Sequence, residues 1–514
     1  MTTPAIGAPI VQTTGGTLSG STIEGIHAFK GIPYAAPATG TNRFMPPAPP
    51  EPWEGVREAL AFGDMAPQSL PGAARSVTQQ LDAATGDESE NCLVLNVYTP
   101  ALDGARPVMV WLHGGGFVSG SGGPAYDGSN LARRGDVVVV TLNHRLGALG
   151  YLHLGDIDPR FARSGNVGML DIVAALEWVR DNAAAFGGDA GNVTIFGESG
   201  GGRKVAALLA MPPARGLFHK AIIESGPGMR VNEREYGTEF ATAFLAELGV
   251  VPGDLSALQE MPLERILAAQ FAVQRASPSA LPGIRGGFRP VIDPEVLPAH
   301  PFLHGAPAQS AGIPLLIGFN RTEATLFLAN DKEVYELDDD GLQRRTTKLF
   351  GERAAGILAD MRAAYPDASP SDLYILIHTG SLRYPIDSIK LAETKAAGGG
   401  APVFLYRFDW ESTARYGRLR TPHALEIPFV FDQTDHPSWR GLTRATPEAA
   451  ALAARVSATW AAFARTGEPN GGGLPHWDAF EPGGRRTMVI DNESHCESDP
   501  DGAERLVWER TYWG

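Results

Sequence analysis

The sequence predicts an α/β protein in which a central, mostly parallel β-sheet is flanked by helices and carries large helical insertions. Residues 107–112 and 137–142 are continuous apolar runs, the pattern of strands covered on both faces. Between the second run and a third at 193–196, apolar residues recur at Ile172, Val173, Leu176 and Val179, the stripe of a helix. Helix-forming residues 206–210 follow, so strand, helix, strand and helix alternate in the way that builds parallel sheets. At 514 residues the chain exceeds the roughly 250–300 over which a single core usually grows. The expectation is one domain over residues 1–514, with helical insertions at 230–310 and 330–400 that wall a pocket.

In chain order, alternation and glycines over residues 11–35 predict a small β meander. Residues 36–55 are too rich in proline for a helix or a central strand, and Phe44 and Trp53 would anchor them as a surface wrap. Further strands are expected at 93–98, 221–225, 313–318, 403–408 and 488–490. No internal repeat or low-complexity tail is present. A formal net charge of −15 argues against nucleic acid as a partner, because phosphate binding needs clustered Lys and Arg. No run approaches the roughly 18 apolar residues of a membrane span, and the first residues have neither the basic nor the apolar part of a secretory signal. Cytoplasmic location is the expectation, and two cysteines, Cys92 and Cys496, are expected to be reduced thiols.

The strand at 193–196 runs into Gly197-Glu198-Ser199-Gly200-Gly201 and then the helix, which is a Gly-x-Ser-x-Gly nucleophile elbow with Ser199 at its tip. A serine hydroxyl is a weak nucleophile and needs a base, with an acid to orient that base, both following it in the chain for this type of elbow. Glu323 comes soon after the strand at 313–318, where the acid belongs, although a carboxylate capping the helix at 324–327 would look the same. His423 follows the strand at 403–408 and His495 follows that at 488–490, so strand position leaves these two level as the base. His113-Gly114-Gly115-Gly116, directly after the strand at 107–112, has the form of an oxyanion strip, whose backbone N–H groups meet a tetrahedral oxygen. His113 itself precedes the serine and is expected to be structural.

These motifs are joined by others along almost the whole chain. They include Phe29-Lys30-Gly31-Ile32-Pro33-Tyr34-Ala35, Glu90-Asn91-Cys92-Leu93, Asn143-His144-Arg145-Leu146-Gly147, Gly165-Asn166-Val167-Gly168-Met169-Leu170-Asp171 and Phe463-Ala464-Arg465-Thr466-Gly467-Glu468-Pro469-Asn470. With them the chain resembles the type B carboxylesterases, the esterase and lipase group that includes bacterial para-nitrobenzyl esterases and the cholinesterases. The resemblance implies an α/β-hydrolase fold and a serine esterase working through an acyl-enzyme on small-molecule esters, with no metal or organic cofactor. It selects Glu323 as the acid and His423, ahead of a Glu-hydrophobic-Pro-aromatic run, as the base. It implies oxyanion donors at Gly115, Gly116 and Gly200, and supporting polar groups at Glu198 and Ser225.

Several positions depart from the family pattern. Gly200 stands where alanine is usual, a change expected to loosen that donor without removing it. Residues 60–80 hold no cysteine to pair with Cys92, and residues 70–91 hold no tryptophan of the kind that binds choline esters. Arg203-Lys204, less familiar after the elbow, reads as a solvated helix face. A non-catalytic binding protein on the same fold, or a hydrolase of amides, carbamates or lactones, are the alternative readings. Nothing in the sequence sets the oligomeric state.

Overall fold

The apolar runs form the middle of a large sheet because each is covered by helices on both sides. The computed structural model describes residues 7–69, 87–251, 255–276 and 287–514. Its strands are β1 (Ile10–Gln12), β2 (Thr17–Ser19), β3 (Ser21–Ile23), β4 (Ile26–Pro33), β5 (Val56–Glu58), β6 (Val94–Thr99) and β7 (Arg106–Leu112). They continue as β8 (Val138–Leu142), β9 (Gly188–Glu198), β10 (Lys220–Glu224), β11 (Leu315–Asn320), β12 (Val403–Phe408), β13 (Arg486–Ile490) and β14 (His495–Ser498). The main sheet has eleven strands in the order β14-β13-β12-β11-β10-β9-β7-β8-β6-β4-β3. Every pairing from β8 to β13 is parallel, while β14 at one edge and β6, β4 and β3 at the other pair antiparallel.

The expected meander over 11–35 is divided between two sheets. Strands β1 and β2 join β5 in a separate three-stranded sheet, and β3 and β4 extend the main one. Gly20 sits at the crossing, where a Cβ would lie 2.6 Å from the Ala28 carbonyl oxygen and 2.7 Å from the Phe29 ring.

On one face of the sheet the helix Val167–Asn182 buries Ile172, Val173, Leu176 and Val179 as its stripe requires, and Met169 and Trp178 besides. On the other lies the helix Pro447–Thr466. Its ends are set locally: the Thr446 hydroxyl accepts from the Ala449 amide, Pro447 occupies the first turn, and Gly467 closes it at φ 85°. The span 230–310 contributes Arg234–Leu248, Ser256–Glu260 and Leu263–Ala276, and the span 330–400 contributes Asp339–Phe350, Ala354–Ala364, Pro370–Ser381 and Tyr384–Ala397. The second group packs around its own apolar cluster, with Leu342, Met361, Leu373 and Trp508 inside it. Among the described residues, no helix is long and apolar enough to cross a membrane.

Both cysteines are free. Cys92 is fully enclosed beside β6, and burial pushes its thiol up to about 12.

One ion pair ties the loop after β8 to the helix Val167–Asn182. The Arg145 guanidinium donates to Asp171 from Nε at 2.8 Å and from Nη2 at 2.6 Å, and its backbone N–H donates to the same carboxylate at 3.0 Å. Its remaining nitrogen reaches the Met45 carbonyl at 2.7 Å, which holds the proline-rich wrap against the core. Both side chains are almost wholly buried, so losing one partner strands a charge. Asp171→Ala should therefore destabilise the protein by roughly 3–5 kcal/mol in urea unfolding, far more than an exposed ion pair would.

Candidate active site

Strand β9 ends at Glu198 and the helix Gly200–Leu208 begins two residues later, leaving Ser199 alone to reverse the chain. Ser199 takes φ 55° and ψ −115°, a conformation that costs a non-glycine residue about 1–3 kcal/mol. The surroundings hold it there. The Ser199 amide donates to the Glu224 carbonyl at 2.9 Å, and the Arg203 amide donates to the Ser199 carbonyl at 3.1 Å. The flanking glycines are obligatory on steric grounds: a Cβ at Gly197 would lie 2.5 Å from the Leu112 carbonyl oxygen, and one at Gly201 would lie 1.9 Å from it.

Glu323 stands just beyond β11, where its Oε1 accepts from the Asn320 amide at 2.8 Å. Its Oε2 lies 2.6 Å from Nδ1 of His423, in the loop after β12, and the His423 amide donates to the Glu323 carbonyl at 3.3 Å. Both side chains are buried. Tyr384 stacks on the imidazole, with ring centroids 4.6 Å apart and planes 18° apart, and Phe327 closes the other approach at 5.4 Å. The second ring nitrogen, Nε2, lies 3.1 Å from Oε1 of Glu198. His495, level with His423 on strand position, lies exposed on the edge strand β14, near Glu497 at 3.5 Å.

Ser199, His423, Gly115 and Gly116 line one cleft, with Gln270, Phe271, Gln274, Phe327 and Tyr384 around them. The cleft encloses about 1130 Å³, including the part open to solvent. Gly115 and Gly116 take φ of 78° and 67°, which lets the strip double back over the elbow. Gly116 lies directly on Gly200: a Cβ there would stand 2.2 Å from the Gly116 carbonyl oxygen and 2.5 Å from its nitrogen. In this chain glycine at 200 thus admits a closer approach of the strip.

The reading of Arg203-Lys204 as a solvated face is overturned. Every residue of the helix Gly200–Leu208 except Arg203 is buried, because the helix is enclosed between the sheet and the segments above it. Lys204 donates from Nζ to the carbonyl of His113 at 2.8 Å and so fixes the start of the glycine strip from below. His113 and His144 stack at 4.8 Å, and burial, followed by the Lys204 charge, holds both well below the ordinary histidine pKa. His113 is therefore neutral here, with Nδ1 3.0 Å from the Gly114 carbonyl.

Two acids absent from the sequence reading lie behind the histidine. Glu426 accepts from the Ser225 hydroxyl at 3.1 Å and from the Asn320 amide side chain at 2.5 Å. Glu224 accepts from the Trp460 indole at 2.6 Å. Ser225 thus reaches the site through Glu426, while Glu198 touches the imidazole directly. Glu426 was visible only as the first residue of the run after His423, and nothing local marked Glu224 as buried. Among the described residues, no cluster of histidine, cysteine and acidic side chains is arranged to hold a metal ion.

Burial, followed by the charge of Glu323, raises Glu426 from 4.5 to about 7. Between those values the folded protein holds a proton that the unfolded chain has released, so this group makes stability fall as pH rises through the window. Glu426→Gln should flatten that fall by roughly 1 kcal/mol per pH unit, read from urea unfolding across the same window.

The carboxylesterase family model matches residues 7–507. The chain is 40% identical over 499 residues to the para-nitrobenzyl esterase of Bacillus subtilis, covering 96% of this chain and 97% of that protein. It is 36% identical over 496 residues to the phenmedipham hydrolase of Pseudarthrobacter oxydans, covering 94% and 95%. A thermophilic PNB esterase superposes with a TM-score of 0.83 at 37% identity, over 97% of this chain and 99% of the other. The chain belongs to the carboxylesterase family, on an α/β-hydrolase fold, and is a serine-dependent carboxylic ester hydrolase.

Proposed function

We propose that Ser199, His423 and Glu323 carry the hydrolysis, with the amides of Gly115, Gly116 and Gly200 as the oxyanion hole. The observation that supports this most strongly is the 2.6 Å contact between Glu323 and His423 Nδ1 behind a cleft that Ser199 shares. With Nδ1 held by the carboxylate, Nε2 is the nitrogen that accepts the serine proton. In this reading the Ser199 hydroxyl gives its proton to Nε2, the nitrogen that Glu198 contacts here. The alkoxide then attacks the ester carbonyl, and the new oxyanion is met by the glycine amides. His423 returns the proton to the departing alcohol, and water repeats the sequence on the acyl-enzyme.

Gln270, Phe271 and Gln274 from the span 230–310, and Tyr384 from the span 330–400, supply walls to the cleft. We assign acyl and alcohol selection to these insertions. The aromatic side chains Phe271, Phe327 and Tyr384 suit benzyl and aryl esters, in keeping with the name of the Bacillus relative. The two free thiols fit work in the cytoplasm.

Ser199→Ala should lower kcat by roughly 10⁶-fold on a p-nitrophenyl ester, and Glu323→Gln by about 10⁴-fold. A fluorophosphonate should label the wild-type protein once, at Ser199. Near-normal turnover by Ser199→Ala, or no labelling, would overturn Ser199 as the nucleophile.

A further inference from the structure

The one residue of the elbow helix that is not buried is Arg203, one turn after Ser199. Its side chain lines the catalytic cleft and also a second, narrow cavity that encloses about 400 Å³ including the part open to solvent, walled by Phe117, Met229, Arg230, Arg289 and Pro290. The guanidinium lies over the Tyr384 ring at 5.6 Å, on the same ring that stacks on His423. Its Nε–H is buried with no acceptor among the described residues.

Arg289 lies close enough for its charge to be felt. Burial, followed by the Arg203 charge, brings the Arg289 guanidinium down to about 10. Among the described residues neither arginine has an ion-pair partner within 4.0 Å. The nearest acid on the cavity wall, Asp387, is taken by Arg383 through contacts of 2.8 and 3.1 Å. In a protein of net charge −15, the wall beside the nucleophile is thus cationic. Two guanidinium groups lining one cavity with no direct ion pair of their own, and with Asp387 engaged by Arg383, repel each other, and a carboxylate placed between them relieves the repulsion and supplies the missing acceptor. Phe117, Met229 and Pro290 add apolar surface to a wall that also holds Arg230 and Asp387, and this mixture favours a singly charged, flat anion over a more heavily hydrated dianion.

We propose that Arg203 and Arg289 form a carboxylate-binding subsite, and that the preferred substrates are esters that carry a second, free carboxylate. The proposal rests on Ser199 as the nucleophile. Such substrates are half-esters of dicarboxylic acids, or esters of carboxylated alcohols.

Three matched esters test it: benzyl hexanoate, benzyl hydrogen adipate with the carboxylate on the acyl side, and para-carboxybenzyl hexanoate with it on the alcohol side. Wild-type kcat/KM should favour one of the anionic esters over benzyl hexanoate by about tenfold or more, and the favoured one identifies the side bound. That preference should fall by roughly 10- to 100-fold in Arg289→Leu and in Arg203→Met, and should shrink with added salt in the wild type, where folding is not in question. A preference for the neutral ester, a preference indifferent to ionic strength, or one that survives both substitutions overturns the subsite. Failure of the nucleophile assignment would look different, as turnover of benzyl hexanoate with Ser199 unlabelled by fluorophosphonate.

Discussion

The Leu112 carbonyl oxygen occupies the space that side chains at 197 and 201 would need. This single close approach brings the end of β7 against the end of β9, and the rest of the site follows from it. The serine is forced to a positive φ because the chain must turn within one residue, and its amide is tied to β10. The glycine strip, continuing from Leu112, arrives over the elbow at contact distance from Gly200. Parallel strands whose ends align thus present a hydroxyl, a row of amides and, from β11 and β12, a carboxylate and an imidazole on neighbouring loops.

The parts legible in the sequence are those with a local steric or periodic cause. Strands buried on both faces leave uninterrupted apolar runs, and the turn at Ser199 leaves glycines, so both could be read without the fold. The helix Pro447–Thr466 has no counterpart in the sequence reading, where residues 463–470 enter only as a family motif, because its many alanines blur the apolar stripe. Strand position could not separate His423 from His495, since both follow strands; what separates them is that β14 is an exposed antiparallel edge and the loop after β12 is enclosed. Lys204 reads as solvated because its charge is the local signal, and Glu224 inside the strand at 221–225 carries no local mark of a role, while the enclosure of the elbow helix and of β10 is a property of distant segments.

The site concentrates buried polar groups that would be costly alone. Glu198, Glu224, Glu323 and Glu426 gather under the histidine, and the indole of Trp460, the Asn320 side chain and the Ser225 hydroxyl serve two of them. On the other side, Lys204 sits beneath two imidazoles that remain neutral in its field. Burial raises both Glu224 and Glu426 above the ordinary carboxylate range, which lessens the cost of packing four acids into one region.

The enclosure of Cys92 has a practical bearing on the chemistry of the whole chain. Burial holds its thiol protonated near neutrality, and the sulfur is not exposed to solvent. Burial also raises Cys496, at the opposite edge of the sheet. A thiol-directed electrophile or oxidant would therefore meet Cys496, which is part-exposed, before Cys92, which only an opening of the fold uncovers.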